Sequence, residues 1–284
     1  MRTSSSTSAR RRSSRRSKRQ SPKTGWARPR LFAHRGGALE GPENTLETFA
    51  AGLAAGADRL ELDVHATSDG EIVVLHDADL GRTTDGRGPV RERTLSEVRA
   101  LDAGARFVAE DGSRPFAGRG IRVPTLAEVL EAFPDVALNI EIKQESPRIE
   151  RAVLDLFDRF GARDRVLLAA EHGVIMERIR TEAPEMHHGA SADDLVAFIT
   201  RWGESQLSDY PVRSVAFQVP AVFMGKPFVT AEFVEAVHGL GVEVHVWTID
   251  DEAEMEALLG LGVDGIMTDR PTRAAAVFSR LGLR

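Results

Sequence analysis

Residues 60–77, Leu-Glu-Leu-Asp-Val-His-Ala-Thr-Ser-Asp-Gly-Glu-Ile-Val-Val-Leu-His-Asp, decide how the chain folds. The run reads as a strand, a tight turn at Thr67–Gly70 and a second strand. Side chains alternate across a strand. Leu60, Leu62 and Val64 therefore share one face, and Glu61, Asp63 and His65 share the other. An apolar face suits packing against helices, so the acidic face must point elsewhere. "LNIEIK" at 138–143 repeats the pattern, with Leu138, Ile140 and Ile142 on one side and Asn139, Glu141 and Lys143 on the other. Two strands that send carboxylates to one interior suggest a closed sheet with a polar end.

The rest of the chain fits that idea. From Leu31 onward, short apolar runs alternate with stretches of helical period. The strand candidates are 30–35, 59–64, 71–77, 136–143, 165–170, 186–190, 214–219, 242–248 and 263–268. Helical stretches follow at 44–56, 125–133, 146–162, 173–183, 192–202, 230–241, 250–262 and 270–282. Repeated strand–helix units predict a parallel sheet with helices outside. No glycine-rich phosphate loop opens the first helix, which counts against an open dinucleotide-binding sheet. The expected fold is a distorted eight-stranded (β/α) barrel of the TIM type, which takes ~250 residues. Nine candidates compete for eight places, so one strand is surplus, and the pair around the turn breaks the strand–helix rule. A region at about 80–123, rich in Gly and Arg and without a strong period, predicts a small insertion.

Composition narrows the function. The chain has 284 residues and no cysteine, so a metal would have to be held by Asp, Glu, His or backbone oxygen. No apolar run approaches the ~18 residues of a membrane span. Residues 1–30 carry a charge of +11 and no acid, which leaves −17 on residues 31–284. Low apolar content and many Ser and Arg predict a disordered basic tail over 1–30. Such a tail suits nucleic acid or anionic lipid, or is merely solvated. The acidic body argues against a nucleic-acid partner. No apolar stretch of a signal peptide follows the arginines, so the expected compartment is the cytoplasm.

Interior carboxylates are costly unless they are paired or bind a cation. Glu61, Asp63 and Glu141 have one lysine, Lys143, among them, and oxygen ligands suit Mg²⁺ or Ca²⁺. A hairpin centred near Asp69 places residue 75 or 76 opposite 63, which brings His76 beside the carboxylates. His34 ends the first strand, next to the second. Two imidazoles at one cation are a layout for acid–base chemistry near neutral pH.

The stretches "AHRGG", "GPENTLETF", "ELDVHATSDGEIVVLHD", "RTTDG", "NIEIK", "VHVWTID" and "GVDGIMTDRP" together resemble the glycerophosphodiester phosphodiesterases, from about Leu31 to Pro271. The resemblance implies a distorted eight-stranded barrel with an insertion, a divalent cation, and hydrolysis of a small-molecule glycerophosphodiester to glycerol 3-phosphate and an alcohol. It implies His34 and His76 as the catalytic pair, one acid and one base. Glu61, Asp63 and Glu141 correspond to metal ligands, and Arg35 and Lys143 to phosphate clamps. Glu43 corresponds to a group near the site, and Trp247 to an aromatic wall for substrate.

Weaker signals remain. His245 shares a strand face with Trp247 and is a minor candidate for lining the site, as is Gln218. Asp264 and Asp269 read as structural, and His238 as a helix-end histidine. The apolar stretch 220–228 is either a packed loop or a hydrophobic rim. A rim would favour peripheral membrane contact and a lysophospholipase D acting on lysolipids. A barrel that binds phosphate or metal without turnover is a third reading, but none of the expected residues is missing.

Overall fold

The computed structural model describes residues 29–284. The basic tail expected over 1–30 thus lies outside the described residues except for its last two, and Arg30 already opens the first strand. Eight parallel strands run β1 (Arg30–Ala33), β2 (Arg59–Ala66), β3 (Ala137–Ile142), β4 (Val166–Ala169), β5 (His187–His188), β6 (Ala216–Pro220), β7 (Glu243–Trp247) and β8 (Gly265–Thr268). Their order in the sheet is β5-β4-β3-β2-β1-β8-β7-β6. A parallel bridge between Gly189 and Ala216 joins the two ends. Ala190 N donates to Ala216 O at 3.0 Å and Val215 N to His188 O at 2.9 Å, so the sheet closes into the expected barrel.

One barrel helix follows each strand, and a further short helix, Leu95–Arg99, lies in the insertion after β2. The barrel helices are α1 (Leu46–Ala55), α2 (Leu126–Ala132), α3 (Glu150–Phe160), α4 (Gly173–Glu182), α5 (Ala192–Gly203), α6 (Ala231–His238), α7 (Glu252–Gly260) and α8 (Pro271–Arg280). Their starts are written locally. The Thr125 and Ser191 side chains accept from the backbone three residues on, and Glu128 and Asp194 return the bond. This reciprocal cap satisfies two orphan donors. Gly56 and Gly161 end α1 and α3 in the left-handed conformation.

The surplus strand is Ile72–Val74. It pairs antiparallel with β2, Val64 opposite Val74, and joins no other strand. Val73 and Leu75 turn instead toward Leu80, Val90, Val98, Ala103, Ile121 and Val123, the insertion's own buried core. The insertion therefore replaces a direct β2-to-α2 connection and has its own apolar anchor. The main core lies between strands and helices. Leu60, Leu62, Val64, Leu138, Ile140 and Ile142 pack there with Phe49, Val129 and Phe157. On the other half, Phe198, Phe217, Phe233 and Phe278 are fully buried. Each such ring contributes roughly 1.5–3 kcal/mol by leaving water. With the apolar alternates packed outward, the polar alternates of β2 and β3 face the barrel interior.

Candidate active site

The C-terminal ends of β1, β2 and β3 bring the charged residues together. β2 and β3 pair in register, Glu61 opposite Asn139 and Asp63 opposite Glu141. Among the described residues, Glu61, Asp63 and Glu141 are the one trio of acids or histidines whose ligand atoms all lie within 4.8 Å of one another. Three carboxylate oxygens at that separation fit a hard divalent cation. Glu61 and Asp63 are buried. Burial and the Asp63 charge push the Glu61 carboxyl up, against His34 and Arg35. Burial also acts to raise Asp63, but Lys143, Arg35, His76 and the Asn44 amide hold it below the usual carboxylate range.

Two cations flank the trio. Lys143 Nζ lies 2.8 Å from Glu141 Oε1 and 3.3 Å from Asp63 Oδ1. Arg35 Nε lies 3.4 Å from Asp63 Oδ2, and its Nη1 donates to Glu43 Oε1 at 3.1 Å. Burial would lower the Lys143 pKa, but Asp63 and Glu141 outweigh it and raise it. Both side chains stay charged at the cluster's edge, where an anion would enter.

The first strand ends at Ala33, two residues short of the 30–35 expected from the sequence. His34–Gly36 form a 3₁₀ turn, with Arg35 at φ 50° and Gly36 at φ 88°. The turn aims Arg35 N at Glu61 Oε2, 3.0 Å away. A Cβ on Gly36 would stand 3.0 Å from the Phe49 and Thr48 backbone of α1, so only glycine fits. His34 Nε2 then lies 3.8 Å from Glu61 Oε2. Its Nδ1 meets Asp269 Oδ1 at 2.7 Å. Burial alone would lower the His34 pKa, but the Asp269 hydrogen bond and the charges of Glu61 and Asp269 outweigh it and raise it.

The hairpin register puts residue 75 opposite 63, and Leu75 N donates to Asp63 O at 3.0 Å. His76 follows, its carbonyl bonded to His65 Nε2 at 3.0 Å and its Nδ1 to Asp77 Oδ1 at 2.6 Å. Burial acts to raise Asp77, but Arg82 and His76 hold it down to about 2. Each histidine thus has its Nδ1 on a carboxylate, which fixes the ring and turns Nε2 away from that carboxylate.

Two of these partners escaped the sequence. Asp269, read there as structural, sits just beyond β8 and reaches His34 across the closure of the barrel. Arg82 lies in the insertion and bridges Glu43 and Asp77. A polar residue just past a barrel strand is the signal that would have found Asp269; Arg82 opens the stretch "RTTDG", which carried the resemblance but assigned the arginine no role. Asp264 matches its structural reading, accepting from His238 Nε2 at 2.7 Å and Val244 N at 2.8 Å. Trp247 ends β7 beside Pro220 and is 42 % exposed at the barrel mouth. His245, a minor candidate for the site, is instead fully buried, 4.8 Å from the Phe32 ring and 3.0 Å from Glu243 Oε2. It fills the barrel two residues below the mouth. Gln218 is half-buried and donates to Asn139 Oδ1 across the interior at 3.1 Å.

No helix among the described residues is long and apolar enough to cross a membrane. Residues 34–273 match the model of the glycerophosphoryl diester phosphodiesterase family. A glycerophosphodiester phosphodiesterase of Caldanaerobacter subterraneus subsp. tengcongensis is 33 % identical over 246 residues, 85 % of this chain and 94 % of that protein. A lysophospholipase D of Mus musculus is 26 % identical over 86 % of this chain and 84 % of its own length. The structure of an Oleispira antarctica phosphodiesterase in complex with the product sn-glycerol-3-phosphate superposes with a TM-score of 0.74 at 26 % identity, over 89 % of this chain and 97 % of that one. Fold and sequence agree: the chain belongs to the glycerophosphoryl diester phosphodiesterase family, enzymes that hydrolyse glycerophosphodiesters.

Proposed function

We propose that the chain hydrolyses small glycerophosphodiesters to glycerol 3-phosphate and an alcohol, with His34 and His76 as acid and base beside a Mg²⁺ or Ca²⁺ ion. The observation that carries this is the pair of histidines, each held through Nδ1 by a carboxylate, at the rim of one trio of acids. Glu61, Asp63 and Glu141 would hold the ion, which when bound supplies positive charge to the phosphoryl oxygens. Arg35 and Lys143 clamp the same oxygens and offset charge that grows on them. One imidazole Nε2 takes the proton of the attacking hydroxyl as a new P–O bond forms. The other gives a proton to the alkoxide as the old P–O bond breaks. Attack by water gives glycerol 3-phosphate directly. Attack by the substrate's own glycerol hydroxyl gives a cyclic phosphate, one of whose ring P–O bonds water then breaks to give glycerol 3-phosphate. Glu43 orients Arg35, and Trp247 offers an apolar wall. The test is release of glycerol 3-phosphate from glycerophosphocholine and glycerophosphoethanolamine with Mg²⁺, Ca²⁺ or chelator. Release that persists in chelator would contradict the cation's role.

A second reading, lysophospholipase D activity on lysolipids, has one favouring observation. A two-stranded hairpin, Val222–Phe223 with Lys226–Pro227, leaves β6 at the mouth and exposes Val222, Phe223 and Met224, the last at 87 %. Replacing Phe223 and Met224 by Ser should then reduce turnover of lysophosphatidylcholine and spare glycerophosphocholine. Equal effects on both would argue against it.

A further inference from the structure

We propose that Arg82, supplied by the insertion, is a positioning residue that fixes His76 and Arg35 in one geometry by clamping their carboxylate partners. This rests on the acid–base role proposed for His76. Arg82 Nε donates to Asp77 Oδ2 at 2.6 Å and Nη2 to Asp77 Oδ1 at 3.2 Å. On the other side, Nη1 donates to Glu43 Oε2 at 2.6 Å and Nη2 to Glu43 Oε1 at 2.8 Å. Each carboxylate continues to a working group: Asp77 Oδ1 to His76 Nδ1 at 2.6 Å, and Glu43 Oε1 to Arg35 Nη1 at 3.1 Å. One planar cation thereby links the histidine beyond the hairpin to the guanidinium beyond β1. A rigid five-donor fork can serve two carboxylates in this way; a lysine ammonium cannot.

The backbone carrying Arg82 is tied down independently. Leu80 is 1 % exposed in the insertion core, and Thr84 is fully buried. Thr84 Oγ1 donates to Leu80 O at 2.7 Å, Gly86 N donates to Thr84 Oγ1 at 2.9 Å, and Arg106 Nε donates to Thr84 O at 3.2 Å. The Arg82 side chain itself is 45 % exposed and Asp77 31 %. Ion pairs this open to water add little to stability. A five-residue network of short contacts there is better accounted for by what it orients. With Asp77 held by two donors, its Oδ1 keeps one direction toward His76 Nδ1, and the His76 tautomer that leaves Nε2 available is favoured.

The test compares Arg82→Ala, Arg82→Lys and His76→Ala in the full chain, loaded with cation, on glycerophosphocholine. Arg82→Ala should keep the wild-type melting temperature and lose ~10–100-fold in kcat, the usual effect of removing an orienting partner. Added guanidinium should restore part of that kcat in Arg82→Ala and none in His76→Ala. Arg82→Lys should stay impaired. Wild-type kcat in Arg82→Ala, while His76→Ala is inactive, would overturn the clamp and leave the histidine reading intact. A loss in Arg82→Ala that tracks a lowered melting temperature and ignores guanidinium would also overturn it. Wild-type activity in His76→Ala would overturn the underlying reading.

Discussion

Replacing Asp269 by Asn keeps the shape of the His34 contact and removes its charge. The two side chains are 15 % and 19 % exposed and meet at 2.7 Å, so water screens the pair weakly. A hydrogen bond to a charged group contributes about 1.5–3 kcal/mol. If that support is expressed when His34 carries a proton in the transition state, kcat falls by roughly 10–150-fold, at 1.36 kcal/mol per factor of ten. Substrate contacts are untouched, so KM should barely move. The same change lowers the His34 pKa, because the Asp269 bond is what chiefly offsets burial. The imidazole of a histidine with a raised folded-state pKa stabilises the fold below its unfolded value of ~6.5, and that stabilisation is lost as pH rises through the folded value. Wild type should therefore exceed Asp269→Asn in stability by more at pH 6 than at pH 9. Steady-state kinetics, NMR titration of His34 in chelated protein and thermal melts at both pH values read all three. A kcat within twofold of wild type, or an unmoved His34 midpoint, would refute the reasoning.

In chelator, the Glu61 carboxyl is pushed up by burial and by Asp63. A raised carboxylate costs stability as pH rises, so metal-free protein should weaken from pH 5 to pH 8 by more than Glu61→Gln does, measured by urea unfolding. Adding Mg²⁺ or Ca²⁺ at ~100 times its Kd should stabilise wild type by about 2.7 kcal/mol, and Glu141→Gln should lose most of that gain. Gly36→Ala should destabilise the fold by about 1–3 kcal/mol, because Gly36 combines φ 88° with a 3.0 Å approach to α1. An unchanged melting curve would show that the 3₁₀ turn relaxes freely.

Much of this was legible in the sequence for a local reason. Period-two alternation in 60–64 and 138–143 separates apolar from acidic faces, and a short hairpin fixes which residue lies opposite Asp63 to within one position. What was not legible depends on closure. Asp269 lies 235 residues from His34 in sequence, so its place just past a strand marks a polar residue at the barrel mouth but not which histidine it meets. Arg82 sits in a stretch without period, where only the insertion's small core fixes the turn. His34 looked like the end of a strand, yet the apolar run stops at Ala33 and the glycines of "AHRGG" belong to the turn that follows. His245 shares its face with Trp247, but a barrel interior has layers, and two residues down the strand is already packed core.

We propose that His34 and His76 divide acid and base work beside the trio of Glu61, Asp63 and Glu141. The pH profile of kcat/KM for wild type, His34→Ala and His76→Ala on glycerophosphocholine tests it most directly. The account predicts a bell for wild type, a loss of ~10²–10⁴ in each variant, and a different limb missing from each. A bell of unchanged shape and height in either variant would contradict it.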